Sequence, residues 1–431
     1  MIKRLFVIIR KKPWLSIIAV IYITGMITYG IPKSMKMTEK SDYYWVFWRS
    51  GKDFSDHKEL YYREIARPFN YLPFAAFVFQ PFHVLPLKIS ALIYFLINAL
   101  ILPPVAIYLI YKILRLMGVG KRKTEISLIL ATIFTLHYFW NNLIMFNINY
   151  ILFVITLTGI YYLVKKKPHI AGILFTIITL IKIMPVLLAG YVFIFHFSRR
   201  VILTMVLTAV ICLSLPIPFR GMDRWVQDHV DHYEKVIGPY IQDGRIVATL
   251  TNHNLKAGLV KTFLPESRGD GHYYLEQQHM ISRIKTVLQF MFLGILILNG
   301  ALLYRRKIPF SLAYLASILL FAHLISGLTW SAHLVTLMYC LLPVLLIDVK
   351  KLRRTGKIVF YFTLSFLIVL GFAGSDTFGE RVFRAIQVYD LYTLLLVGLF
   401  LFCSWVVWSR RSNRIYPEGI IWLNPTQRIN P

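Results

Sequence analysis

Asp42 follows a long apolar run within a short polar stretch and stands directly before Tyr43, Tyr44 and Trp45. A carboxylate in aromatic, partly dehydrated surroundings is a stronger base than one in water, which suits it to take a proton from a hydroxyl. An acid at a membrane interface that merely faces water would carry the same pattern, and these residues alone leave both readings open. Asp53, Asp56 and Glu59, in the strongly polar stretch beyond, are expected to face water. Further polar groups border apolar segments elsewhere: Asn147 and Asn149, Lys182 shortly before Pro185, the run Asn252, His253 and Asn254, and Trp330 with His333. Singly each has a plain explanation, since asparagine caps helices, histidine packs and tryptophan belongs to the interfacial belt. Several costly polar groups meeting on one side of a membrane argue for a cavity. No metal-ligand spacing, no phosphate-cradling glycine loop and no Ser/His/Asp order stands out. No cofactor is therefore expected, with a divalent ion left open.

The elements that must position these groups are membrane helices. Of 431 residues 57% are hydrophobic and only 16% charged, and the mean hydropathy of +0.60 is far too high for a water-soluble domain of this size. The net charge of +28 lies in short clusters between apolar runs rather than on one face, so it reads as a topology signal and not as a nucleic-acid footprint. Cys212, Cys340 and Cys403 all fall inside apolar runs and suggest neither disulfide nor metal site. Apolar runs near 14–31, 88–111, 126–140, 148–164, 201–219, 285–304, 308–327, 330–348, 357–373 and 388–408 are candidate spans. The first follows a basic start with no cleavage pattern after it, and reads as a retained span.

Basic clusters at 3–12, 112–123, 165–167, 199–200, 305–307, 350–357 and 410–414 would all be cytoplasmic under the positive-inside rule. Neighbouring clusters must then enclose an even number of crossings. Residues 168–198 are too short for two full spans, which predicts a pair of half-length helices with a tip near Lys182 and Pro185; one tilted span with a snorkelling lysine is the alternative. The total comes to about twelve crossings with both termini inside. The segments 32–87, 220–284 and 374–387 are left outside, the first with the alternating aromatics and charges of an amphipathic interfacial helix. With no internal repeat or low-complexity linker, residues 1–431 read as one all-α polytopic membrane domain.

In order and spacing, several segments resemble the polytopic GT-C glycosyltransferases, and most closely glycosyltransferase family 87, the polyprenyl-phosphate-mannose-dependent mannosyltransferases. They are Asp42 with YYWVFWRSG after it, Leu60 to Tyr62, FNYLPFAAFVFQPFHVLP from Phe69, Asn147 to Asn149, HIAGILFTIITLIKIMP ending at Pro185, NHNL at Asn252 to Leu255, and LTWSAHLV at Leu328 to Val335. The resemblance implies a GT-C-like helix bundle whose outer loops form the active site, in a plasma membrane of bacterial type. It implies that Asp42 is the base, that the donor is a polyprenyl-phosphate sugar, that a lipid or glycan is the acceptor, and that the anomeric centre is inverted. Lys182 would meet the donor phosphate, and Tyr71, Asn147, Asn149, Asn252, His253, Asn254 and His333 would contact donor or acceptor. Two departures bear on specificity: His253 and Asn254 stand where relatives often have Gln and Ser, and Ala332 precedes His333 where relatives have a paired histidine.

A secondary transporter is the main rival, but it predicts inverted repeats and polar groups at the bilayer midplane. A flippase or ligase of lipid-linked glycans shares the same substrates, and release of free polyprenyl phosphate separates it from a transferase.

Overall fold

The computed structural model describes residues 20–62, 68–238, 251–263, 275–308, 310–373 and 375–408. The basic clusters expected at 3–12 and 410–414 lie outside them. Among the described residues every regular element is helical and no strand occurs. Among the described residues four helices are long and apolar enough to cross a membrane by themselves: Leu87–Leu116, Arg199–Arg220, His279–Arg305 and Leu391–Trp408. The chain is therefore a membrane protein. Of the other expected crossings, 126–140 lies within the 24-residue helix Lys121–Ile144, 14–31 lies partly outside the described residues, and several more fall on shorter apolar helices, among them Asn149–Val164, Pro168–Ile181, Val186–Phe195 and Leu312–Ile325. A 14-residue helix such as Pro168–Ile181 reaches only about 21 Å, short of the roughly 30 Å hydrocarbon core.

Proline and serine punctuate this architecture. Pro168 opens its helix at a position whose N–H needs no partner, and Ser198 and Ser311 cap the helices that follow them, accepting from the backbone N–H of Val201 at 3.3 Å and Tyr314 at 3.2 Å. Helices Pro168–Ile181 and Val186–Phe195 are separated by an extended Lys182 and by Pro185. Gly172, near the start of the first, lies against Val192, near the end of the second, so the pair folds back as a hairpin with Lys182 at its tip. A side chain at Gly172 would also meet Met205 Cγ at 2.8 Å, which is why the hairpin packs so closely on Arg199–Arg220.

The segment 32–87 is more ordered than a loop. Residues 20–40 form one helix, Ser41 is extended, and a second helix runs over 43–55. Expected as an interfacial helix, 43–55 is instead packed into the body: Tyr43, Phe47 and Phe54 are all buried, and Gly51 touches the backbone of Phe79 in helix Pro73–His83. The apolar residues fall on one face at helical spacing, and packing on Pro73–His83 removes that face from water. Asp53 is buried with this helix and pairs with Arg49 at 3.5 Å, which corrects the expectation that it faces water; Asp56 does face water.

The helix Lys121–Ile144 acts as a ruler through the bundle. At its start Lys123 lies in the electrostatic reach of Asp348 and Lys351. At its end Asn142 donates to the Ala332 carbonyl at 3.2 Å. The nineteen-residue interval spans roughly 28 Å. Helices Asn149–Val164 and Pro168–Ile181 likewise join the basic turn Lys165–Lys167 to Asn149 and Lys182. The basic clusters thus gather at one end of these helices and the polar candidates at the other. Between the ends, Leu203, Val206, Val210 and Ile211 are more than half exposed, an apolar face for lipid.

Candidate active site

Asp42 is set by the break at Ser41 and begins the turn into helix 43–55, 7% exposed above a floor of rings in which Tyr43 packs on Tyr94, Phe82 and Phe146. The Tyr43 hydroxyl is hydrogen-bonded to Ser90. Phe146 holds a left-handed backbone at φ 51°, a conformation costing a phenylalanine on the order of 1–3 kcal/mol, and its buried ring anchors it there. That turn reverses the chain between Lys121–Ile144 and Asn149–Val164 and presents Asn147 to Asp42.

A continuous string of side chains follows. Asn147 Nδ2 donates to Asp42 Oδ2 at 2.7 Å. Asn147 Oδ1 accepts from the Asn149 backbone N–H at 3.1 Å. Asn149 Oδ1 accepts from Lys182 Nζ at 2.7 Å, and its Nδ2 lies 3.4 Å from the Ala332 carbonyl. The ammonium is within electrostatic reach of Asp42, His323 and His333, and Asp42 is within reach of Tyr71. Asp42, Tyr71, Asn147, Asn149, Lys182 and His333, drawn from five separate stretches of sequence, therefore converge. His333 places Nδ1 3.0 Å from the Leu328 carbonyl, and its ring stacks on Trp330 at 6.0 Å. The Trp330 indole N–H is buried without a hydrogen-bond partner among the described residues.

The run Asn252 to Asn254 forms a second cluster, with its amides engaged by backbone. Asn252 Oδ1 accepts from Thr329 N–H at 2.9 Å and its Nδ2 donates to the Gly327 carbonyl at 3.2 Å. Asn254 Nδ2 donates to the Ser326 and Gly327 carbonyls, both at 2.7 Å, and its Oδ1 caps helix Leu255–Phe263 through Ala257 N–H. Together they fix the strap 326–331 that carries Trp330 and leads to His333. His253 is fully buried between two partners: Nδ1 lies 2.9 Å from Asp390 Oδ1, and Nε2 lies 3.4 Å from Ser331 Oγ. Burial holds the His253 imidazole below its ordinary range against the upward pull of Asp390, so the ring is neutral at neutral pH. Asp390 is drawn below the ordinary carboxylate range: burial raises it, but His253, Lys261 at 3.4 Å and the Thr393 hydroxyl at 2.6 Å outweigh that.

Asp390 and Lys261 lie in no motif of the resemblance, and Ser331 lies inside LTWSAHLV with no role assigned to it there. Asp390 nonetheless carries the signal used for Asp42, an acid at the end of an apolar helix between Tyr389 and Tyr392. Another pair missed in sequence is structural. Arg220 grips Asp228 with two hydrogen bonds of 2.9 and 2.8 Å and donates to the carbonyls of Asp53, Phe54 and Lys58, tying residues 220–228 to residues 53–58. Among the described residues no group of histidine, cysteine and carboxylate side chains is placed to hold a metal ion.

What the arrangement can do is paired chemistry: a carboxylate to receive a proton and an ammonium to neutralise an anion, bridged by amides that fix both. No curated protein matches the chain. The sequence profile of glycosyltransferase family 87 matches residues 69–327, more than half of its length, and on that match the chain belongs to glycosyltransferase family 87.

Proposed function

We propose that this glycosyltransferase moves a hexose, mannose in the first instance, from a polyprenyl-phosphate donor to a lipid or glycan acceptor at the extracytoplasmic face of a bacterial-type plasma membrane. The observation that carries the reading is the string from Asp42 through Asn147 and Asn149 to Lys182. In the reaction an acceptor oxygen attacks the anomeric carbon and gives its proton to Asp42. The bond from that carbon to the phosphate oxygen breaks, and the oxygen leaves with the bonding pair. Lys182 neutralises the charge that develops there. Displacement from the opposite face inverts the anomeric centre. No cofactor enters the scheme, because the lipid phosphate is already an activated leaving group and the protein supplies position, a base and a cation.

Tyr71 and His333 are assigned to donor and acceptor contacts around this string. Asn252 and Asn254 serve the same site through the strap they hold, and His253 through Ser331. The apolar helix faces meet membrane lipid. Orientation follows from charge: the end with Lys123, Lys165 to Lys167 and Lys351 is cytoplasmic and the site end is not, with both termini inside. A membrane-impermeant thiol reagent applied to whole cells should label a cysteine at exposed position 56 and spare one at exposed position 166; the reverse pattern overturns the orientation. The donor assignment is tested by presenting purified protein with short-chain polyprenyl-phosphate hexoses and with nucleotide hexoses. Transfer from the lipid-linked set alone is expected, and transfer from the nucleotide sugars alone contradicts it.

A further inference from the structure

Beside the string that starts at Asp42 lies a second buried polar cluster. Asp390, His253 and Ser331 stand in line, at 2.9 Å between Asp390 Oδ1 and His253 Nδ1 and 3.4 Å between His253 Nε2 and Ser331 Oγ. The carboxylate is fixed on several sides. Thr393 Oγ1 lies 2.6 Å from its Oδ2, Lys261 Nζ lies 3.4 Å from its Oδ1, and Lys261 also donates to the Asn252 carbonyl at 2.6 Å. The histidine is fixed too: its backbone N–H donates to the Thr329 carbonyl at 2.7 Å, and its ring packs at a tilt on Tyr392 with centroids 4.5 Å apart. An ionised carboxylate at Nδ1 selects the tautomer with its proton there. Nε2 is then an acceptor, and the Ser331 hydroxyl must turn its proton toward it. The lone pairs of Ser331 Oγ are left to receive a donor from elsewhere.

Ser331 is also where the two clusters meet. The next residue, Ala332, offers the carbonyl gripped from Asn142 and approached by Asn149, whose own oxygen takes Lys182. The preceding residue, Trp330, stacks on His333 and has a buried indole N–H with no hydrogen-bond partner among the described residues. Ser331 itself is half-buried rather than sealed. A cleft that handles sugars needs hydroxyl acceptors of fixed direction, and a serine whose proton is already committed is one.

We propose that Ser331 receives a hydrogen bond from a hydroxyl of the bound hexose, with His253 and Asp390 as positioning residues that set the direction of the Ser331 hydroxyl. The proposal rests on the placement of the site described under the proposed function. Octyl mannoside and a short-chain polyprenyl-phosphate mannose serve as probes, with binding to the detergent-purified protein read separately from turnover. Ser331→Ala should weaken binding of at least one probe by roughly 3- to 10-fold, the range for one neutral hydrogen bond, and Ser331→Thr should restore it to within about twofold. Loss toward the octyl glycoside puts the hydroxyl on the acceptor, and loss toward the polyprenyl-phosphate sugar puts it on the transferred hexose. His253→Gln should match the Ser331→Ala loss, and the double variant should be no weaker than the worse single, since the two act through one bond.

A merely structural role makes the losses add, and that result, or a Ser331→Ala protein with wild-type affinity for both probes, overturns the proposal. If the wild-type protein binds octyl mannoside in the predicted way yet transfers nothing from the polyprenyl-phosphate sugar, the donor assignment fails while the role of Ser331 stands.

Discussion

Replacing Asn147 cuts the string where it meets the carboxylate. Its Nδ2 lies 2.7 Å from Asp42 Oδ2, and its Oδ1 accepts from Asn149 N–H at 3.1 Å, so it both orients the carboxylate and ties it to the residue that holds Lys182. A hydrogen bond to a charged group contributes about 1.5–3 kcal/mol. With 1.36 kcal/mol per factor of ten in rate, Asn147→Ala should lower kcat/KM by roughly 10- to 160-fold. Asn147→Asp keeps the acceptor toward Asn149 but sets a second carboxylate against Asp42. The two then share a proton and the base is silenced near neutral pH, so the loss should exceed that of alanine. Initial rates of polyprenyl phosphate release from purified protein measure both, with thermal unfolding in detergent as the check on folding. An Asn147→Ala protein within about twofold of wild type, or an Asn147→Asp protein more active than Asn147→Ala, rules out this role for Asn147.

Lys182→Met removes the ammonium from the hairpin tip and should raise the donor KM by roughly 10- to 160-fold with the acceptor KM little changed; donor titration at saturating acceptor decides it, and an unaltered donor KM makes the lysine structural. Arg220→Met strips Asp228, whose side chain is 1% exposed, of its two hydrogen bonds from Arg220 and leaves it the more exposed Arg224 at 3.3 Å, so it should destabilise by about 1–3 kcal/mol. The double variant Arg220→Met/Asp228→Leu should recover much of that loss in thermal unfolding, and a double variant as unstable as the single contradicts the assignment. Burial on the Tyr61 ring depresses His232 to about 4, so the fold favours the neutral imidazole. Its contribution is complete above the ordinary histidine value of 6.5 and is lost as pH falls from there through about 4. The unfolding temperature of the wild type should drop across that window more steeply than that of His232→Phe; parallel curves refute it.

The sequence was most legible where membrane physics leaves few choices. The break at Lys182 and Pro185 followed from basic residues at both ends of a stretch too short to cross twice, and the structure shows two helices meeting there. Asn147 and Asn149 stood out because amides beside an apolar run are costly, and they form the middle of the string. The burial of helix 43–55 was not legible, because an amphipathic pattern does not say whether its apolar face meets lipid or protein, and only the close approach of Gly51 to Phe79 decides for protein. The same blindness applied to Asp53, polar by neighbourhood and buried by packing. Asp390 and His253 are far apart in the chain, and no spacing rule joins them; the fold does so by seating helix Leu255–Phe263 against the start of Leu391–Trp408, where Gly258 leaves room for Thr393 and Asp390. Asn252 and Asn254 were recognisable as a motif, but not as the clasp of the strap 326–331.

If Asp42 is the base for sugar transfer from a lipid phosphate, removing its basicity alone must stop the chemistry. Purified wild-type protein and Asp42→Asn are given short-chain polyprenyl-phosphate mannose and an acceptor, and release of polyprenyl phosphate is followed together with glycosylated product. Asparagine keeps the shape and removes the basicity, so turnover should fall by roughly 100- to 10,000-fold while donor binding survives. Asp56→Asn and Glu59→Gln serve as controls, since Asp56 is an exposed acid beside Lys58 and Glu59 pairs with Lys235. An Asp42→Asn protein that transfers mannose at the wild-type rate, or a control that loses activity in its place, contradicts the account.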